Sequence, residues 1–471
     1  GANMLVILND NEMSISRNVG ALSTYFNKLI LAAPYKRAKE DVGSFVKKLI
    51  GHRMTRTIQG WEKSVKGMIT HGELFQELGW NYIGPVDGHD LPLIIECLRR
   101  IRPMKGPILL HCHTEKGKGL KVAEDDPLKY HGIKPMDIRR IDEEGEPRPS
   151  EKEATRPAAK TFTDAFVDGL LQAARRDPRV VAITAAMPTG TGLSQFEKEF
   201  PDRFFDVGIC EQHAVTFSAG LAMQGMHPVA AIYSTFLQRG YDQLIHDVCI
   251  QRLPVVFAID RAGLVGEDSP TQNGTFDLSF LRAVPNLKIL APRDDIDTGL
   301  MIQWALKQDG PVAMRYARAR ATTVGPVDGR NILRGEVLRD GKDANFLAVG
   351  PCVEACLAAA AQLEADGYSV GVADARWVKP LDAALLDYLA DRPIITVEEN
   401  TLMGGFGAAV LEFLAGKGVL EHLHLHRVGI EDAFLEQATR AEQLATHGLD
   451  GAGLTRAARN FLQQLLPQMA K

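Results

Sequence analysis

The sequence predicts an α/β protein with parallel sheets, arranged in three blocks. Short apolar runs alternate with amphipathic stretches of helical period, a pattern that places helices on both faces of a parallel sheet. At 471 residues the chain is too long for one ordinary core. A charged, proline-bearing stretch at 141–159 and a second break at 321–341 divide it.

Residues 1–140 form the first block, with strands predicted at Met4–Leu8, a buried-strand pattern, and at Pro107–His111. Nothing precedes the first of these strands, so its sheet starts in mid-course and the first domain reads as incomplete. After the 141–159 linker, the second block (160–320) opens with a helix over Thr161–Arg175. Its strands are expected at Arg179–Thr184, Pro228–Tyr233, Pro254–Asp260, Leu287–Leu290 and Pro311–Tyr316. The third block, 342–471, repeats the scheme with strands at Asn345–Val349, Ser369–Ala373, Ile394–Glu398 and His422–Val428. No internal repeat or low-complexity tract interrupts them.

Bulk chemistry narrows the class. Hydrophobic content of 45% and charged content of 24% are those of a soluble globular protein. A net charge of −5 offers no basic field for nucleic acid. No apolar run reaches the roughly 20 residues that span a bilayer, and the amino terminus is not a signal peptide. The expected setting is cytoplasmic, away from nucleic acid and membrane. Cys97, Cys112, Cys210, Cys249, Cys352 and Cys356 are scattered through apolar segments and read as reduced, buried thiols. Cys352 and Cys356 fall on one face of an expected helix, which leaves a redox pair open.

The most informative run is Asp206-Val207-Gly208-Ile209-Cys210-Glu211-Gln212-His213-Ala214-Val215. It sets Glu211 at the end of an apolar strand, ahead of the small-residue helix Ser218-Ala219-Gly220-Leu221-Ala222. A carboxyl group in a dry cleft is favoured in its protonated form and can hold or give a proton near neutral pH. Taken alone, the run reads equally as a Glu facing the positive end of a helix dipole.

Further motifs accompany it: Asn9-Asp10-Asn11-Glu12-Met13-Ser14-Ile15-Ser16, Asn81 to Asp90, Tyr233-Ser234-Thr235-Phe236-Leu237-Gln238-Arg239, Phe257 to Gly263, Asp374 to Pro380, and Val397-Glu398-Glu399-Asn400. Together they resemble the 1-deoxy-D-xylulose-5-phosphate synthase family, through essentially the whole chain. The resemblance implies a transketolase-like fold of three domains, thiamine diphosphate and Mg2+ as cofactors, and a homodimer. It also implies a transferase that joins pyruvate, with decarboxylation, to glyceraldehyde 3-phosphate. Transketolase, the decarboxylating component of a 2-oxo acid dehydrogenase, and a non-catalytic cofactor-binding relative remain as alternatives.

By the same resemblance, Asn11 and the Met13 carbonyl are metal ligands, an oxygen set that suits Mg2+. An Asn-Asp-Asn turn without an ion is the other reading. Family members carry a Gly-Asp-Gly ahead of that Asn, and none lies upstream here. Glu211 takes the role of hydrogen-bonding the cofactor's pyrimidine, and Phe236 that of the aromatic packed on it. Tyr233 and Arg239 flank the reaction centre, as do Lys116, Leu120 and His131. Arg261 and Arg318 follow two strands and suit a phosphate, which a guanidinium binds bidentately. The alternative is an ion pair of one of them with Asp260 or Asp268.

Two departures stand out. The family pattern Asp-Gly-x-Thr-His-x-Gly reads Asp268-Ser269-Pro270-Thr271-Gln272-Asn273-Gly274 here, so the amide of Gln272 replaces a titratable imidazole. Arg315-Tyr316-Ala317-Arg318-Ala319 lacks the family's Pro and Gly around the Arg. Elsewhere, His422, His424 and His426 alternate as on one strand face, and Gly404-Gly405-Phe406-Gly407 opens a helix that packs closely or cradles an anion.

Overall fold

The computed structural model describes residues 2–11, 13, 72–127, 130–131, 160–268 and 270–469. The expected linker 141–159 lies outside them. The chain divides into two compact units, Gly1–Arg156 and Pro157–Lys471.

In the first unit, β1 (Met4–Asp10), β2 (Asn81–Asp87) and β3 (Pro107–His113) form a parallel sheet in the order β1-β3-β2. The helix Leu91–Ile101 links β2 to β3. Asp90 caps it by accepting from the Leu93 N–H at 3.0 Å, and Arg99 and Arg100 sit in its last turn, where the dipole favours cations. Central β3 is buried, whereas β1 leaves Met4, Leu5, Ile7 and Leu8 exposed. The buried strand expected there is instead an edge strand among the described residues, paired on one side only.

The second unit holds two sheets. One contains β4 (Val180–Thr184), β5 (Phe204–Asp206), β6 (His227–Tyr233), β7 (Val256–Asp260), β8 (Lys288–Leu290) and β9 (Val312–Arg315). The other contains β10 (Glu336–Arg339), β11 (Ala344–Ala348), β12 (Val370–Asp374), β14 (Ile394–Thr401) and β15 (Leu425–Ile430), in the order β10-β12-β11-β14-β15. One strand crosses between them: β13 (Trp377–Lys379), from the third block, pairs antiparallel with β8. The first sheet therefore runs β13-β8-β9-β7-β6-β4-β5, parallel except for that edge. The second is parallel except for antiparallel β10, which lies inside the stretch expected to be a linker.

The helix Phe162–Arg176 covers one face of the seven-stranded sheet. Thr161 and Asp164 form a reciprocal capping box at its start, and Phe162, Phe166 and Leu170 bury its apolar side. The helix Glu211–Met223 covers the other face through Ala214, Val215 and Ala219, in a core shared with Leu347 of the second sheet and Phe406 of the helix Phe406–Gly416. β5 and β6 lie on opposite sides of β4, so the strand order switches direction there. Crevices outside the carboxyl ends at such a point are where open α/β sheets bind ligands.

Several expectations need correction. His422 belongs to a 3-10 turn, Leu420–His422, and β15 starts at Leu425, so the three alternating histidines do not share a strand. Cys210 is exposed and Cys97 half-buried, while the other four thiols are buried; all six are free. Burial pushes the Cys352 and Cys356 thiols far up, which makes them poor nucleophiles. The helix Phe406–Gly416 does meet an acceptor at its start, and it is an internal carboxyl group: buried Glu398 accepts from the Phe406 and Gly407 N–H groups at 2.6 and 2.8 Å.

Three arginines and four carboxylates form a buried network near the first sheet's edge. Arg376 donates to Asp297 at 2.9 Å and to Glu336 at 2.5 Å; Arg293 donates to Asp374 at 3.0 Å; Arg330 donates to Asp294 at 2.6 Å. Nearly every member is out of water, so their pairing is obligatory.

Candidate active site

Glu211 is the first residue of the helix Glu211–Met223 and is only 3% exposed. Its Oε2 has no hydrogen-bond partner. A carboxylate oxygen buried without a donor is costly, and a ligand N–H delivered into the cleft would satisfy it. An aminopyrimidine ring nitrogen meets it in that way when it shares a single proton with the carboxyl group, so this residue fits thiamine diphosphate. Two glycines lie close to Glu211. Gly208 takes φ +72° just before the helix, and a Cβ on Gly240 would stand 3.4 Å from the Glu211 carbonyl oxygen. Arg239, next to Gly240, is exposed.

Tyr233 ends β6 and is 1% exposed. Its ring stacks on half-buried Phe236 with centroids 5.6 Å apart, and the Arg261 guanidinium lies 4.1 Å over it. The phenol oxygen is buried without a partner, and burial drives its pKa well above the ordinary 10.0. Ser234 Oγ and Tyr316 Oη are likewise buried and unpartnered. Thr235 Oγ1 donates to the Thr271 carbonyl at 2.8 Å, tying the loop that carries Gln272 to this short helix, Ser234–Leu237.

Arg261 follows β7 and takes φ +57°, the left-handed region that costs a side-chain-bearing residue roughly 1–2 kcal/mol. Arg318 follows β9. Sequence reasoning left an ion pair with Asp260 or Asp268 open. Both guanidinium groups reach Asp268 Oδ2, Arg318 at 2.9 Å and Arg261 at 3.4 Å. Asp260 instead accepts the Arg261 backbone N–H at 2.6 Å and the Thr163 hydroxyl at 3.0 Å. It is fully buried, and burial pushes its carboxyl up to about 7 against the pull of Arg261. Two cations share one carboxylate, which leaves the cluster a net positive charge beside the buried hydroxyls. An anionic substrate group suits that charge.

The structure thus brings Tyr233, Phe236, Arg261, Asp268 and Arg318 together. Reading the residues missed Thr163 and Gly190, gave Tyr316 no role, and named Asp260 only as an alternative ion-pair partner. For Gly190 a signal existed: Thr189-Gly190-Thr191-Gly192 lies in the small-residue loop that begins at the end of a strand, where glycine marks close approach.

In the first unit, Asn11 Oδ1 accepts the Met13 N–H at 3.0 Å, so the two expected ligands are adjacent at the carboxyl end of β1. One carbonyl lone pair on Asn11 remains for a cation. Behind them, His111 bridges Asp10 at 3.0 Å and the Tyr82 hydroxyl at 2.6 Å. Burial, with Asp10 nearby, raises the Tyr82 phenol to about 12. Lys116 and Leu120 lie half-buried in the turn after β3, and His131 is exposed. The described residues hold no cluster of three or more His, Cys, Asp or Glu able to bind a metal.

Comparison with known proteins agrees with this architecture. The family described as "1-deoxy-D-xylulose-5-phosphate synthase" matches residues 1–114. "Transketolase, pyrimidine binding domain" matches 158–323, and "Transketolase, C-terminal domain" matches 333–454. Among curated relatives, the 1-deoxy-D-xylulose-5-phosphate synthase of Syntrophus aciditrophicus is 46% identical over 467 residues, covering 98% of this chain and 70% of that one. Those of Aquifex aeolicus and Methylococcus capsulatus are 47% and 48% identical, each covering 98% of this chain and 72% and 70% of their own length. A solved structure, "Split gene transketolase, inactive beta4 tetramer", superposes with a TM-score of 0.59 at 30% identity, covering 64% of this chain and 99% of that one. On the strength of near-half identity along almost its whole length, the chain belongs to the 1-deoxy-D-xylulose-5-phosphate synthase family, thiamine-diphosphate-dependent transferases with transketolase-like α/β domains.

Proposed function

We propose that the protein joins the two-carbon remainder of pyruvate to glyceraldehyde 3-phosphate, giving 1-deoxy-D-xylulose 5-phosphate and carbon dioxide, a step towards isoprenoid precursors and thiamine. The observation that carries the reading is the orphaned, buried Glu211 Oε2 at a helix start, within a chain of this family. When bound, thiamine diphosphate supplies the nucleophilic carbon that takes up the donor.

Each protein group then has a defined task. Glu211 holds a proton at the pyrimidine ring nitrogen, and Phe236 walls the ring against water. Arg261 and Arg318 receive the acceptor's phosphate, with Asp268 relieving their mutual repulsion. Tyr233 lines the same pocket, and Arg239, Lys116, His131 and Leu120 flank the reacting atoms. Asn11 and the Met13 carbonyl hold Mg2+, whose hard oxygen preference they match. Gln272 orients substrate by hydrogen bonding and shuttles no proton.

The residue blocks 1–140, 160–320 and 342–471 correspond to diphosphate-binding, pyrimidine-binding and C-terminal domains. A homodimer is our reading of the assembly; exposed Ile209, Met223 and Ile250 give it apolar surface to cover. No helix among the described residues is long and apolar enough to cross a membrane, and we place the protein in the cytoplasm.

The test follows labelled carbon dioxide released from carboxyl-labelled pyruvate. Release should require thiamine diphosphate and Mg2+ and should rise when glyceraldehyde 3-phosphate is added. Silence in both conditions would end the synthase reading, and consumption of ketose phosphates without pyruvate would identify a transketolase.

A further inference from the structure

We propose that Asp260 is a positioning residue for phosphate recognition: it clamps the backbone of Arg261 in the left-handed conformation that aims the guanidinium across Tyr233 towards Asp268. The inference rests on the reading of Arg261 as a phosphate ligand, and it adds a residue that touches no substrate.

Geometry carries it. Arg261 leaves β7 with φ +57°, a conformation that few side-chain-bearing residues adopt unaided. Asp260 Oδ1 takes its N–H at 2.6 Å, and Asp260 Oδ2 is fixed by the Thr163 hydroxyl at 3.0 Å. On the other side, a Cβ on Gly274 would overlap the Arg261 carbonyl oxygen, and Gly263 and Gly274 exchange backbone hydrogen bonds at 2.7 and 2.9 Å. The peptide is therefore held above and below. Its direction places the guanidinium 4.1 Å over the Tyr233 ring and 3.4 Å from Asp268.

Asp260 is fully buried, yet its oxygens serve a backbone N–H and a hydroxyl rather than a guanidinium. Burying a carboxyl is expensive, and an ordinary turn does not need one. Holding a strained arginine in a binding geometry does. The helix Phe162–Arg176, which carries Thr163, becomes the support behind the phosphate site.

The experiment compares kcat/KM for glyceraldehyde 3-phosphate with that for unphosphorylated D-glyceraldehyde. In Asp260→Leu the ratio should fall about tenfold or more, mainly through KM for the phosphorylated aldehyde, as expected when a charge-assisted contact is misdirected. Asp260→Asn, which keeps an acceptor oxygen, should restore most of it. Should Asp260→Leu fail to fold by thermal unfolding, Thr163→Val is read instead, with a smaller fall in the same direction. Equal losses for both aldehydes, or an unchanged ratio, would overturn the positioning role. Arg261→Met separates the two readings. If it leaves the ratio intact, the phosphate assignment itself fails; if it lowers the ratio while Asp260→Leu does not, only the role of Asp260 fails.

Discussion

The phenol oxygen of Tyr233 fills the space that a side chain at Gly190 would need: a Cβ built there overlaps it. Tyr233 cannot swing aside cheaply, because Phe236 stacks on its ring and Arg261 covers it. Gly190→Ala should therefore displace Tyr233, lowering kcat/KM at least about tenfold and costing ~1–3 kcal/mol of stability as an overpacked site. Steady-state kinetics beside urea unfolding would check both.

Removing the orphaned carboxyl should leave the fold intact. Glu211→Ala takes away a buried acceptor that has no partner to strand, so the thermal midpoint should hold or rise. Carbon dioxide release from labelled pyruvate should fall by about 100-fold or more, the usual scale for a proton-handling group.

Gln272→His returns an imidazole to the loop tied down by Thr235 and Thr271. A new ionisation should enter the pH–rate profile near the ordinary histidine value of roughly 6.5, absent from the native protein. An unchanged profile would show that position 272 takes no part in proton movement.

Glu398 supplies the pH dependence of stability. Burial outweighs its two N–H donors and raises the carboxyl from the ordinary 4.5 to about 7. The native state then keeps a proton that the unfolded chain has already lost, so this group lowers stability as pH rises through that window. Glu398→Gln should flatten the fall in thermal midpoint between about pH 5 and pH 8, whatever its effect on absolute stability.

Arg376 anchors the buried ionic network and stands at φ +56°. Arg376→Leu would leave Arg293 as the one cation that Asp297 and Asp374 still share, with a buried positive charge lost from between them. A loss of ~3–5 kcal/mol in urea unfolding is expected, with β12 and β13 exchanging amide protons first.

The parallel strands were legible because each is a short apolar run between helical stretches. β2, β5, β10 and β13 were not. β5 and β13 have three residues each and β10 has four, and pairing with neighbours rather than their own pattern defines them. The alternating histidines misled because period two is a strand signature only when the backbone is extended, and His422 lies in a tight turn. Within the candidate site, residue types at strand ends were readable, since ligand chemistry restricts them. How they are held was not: Asp260 serves Arg261 through a backbone N–H, which depends on a dihedral angle that no side-chain pattern encodes.

The crossing strand β13 has a practical meaning for anyone dissecting this chain. Scission between the two transketolase-like modules would strip Trp377–Lys379 from β8 and bare a raw backbone ladder, inviting adhesion between copies. A protein divided there should precipitate unless that tripeptide travels with the upstream half.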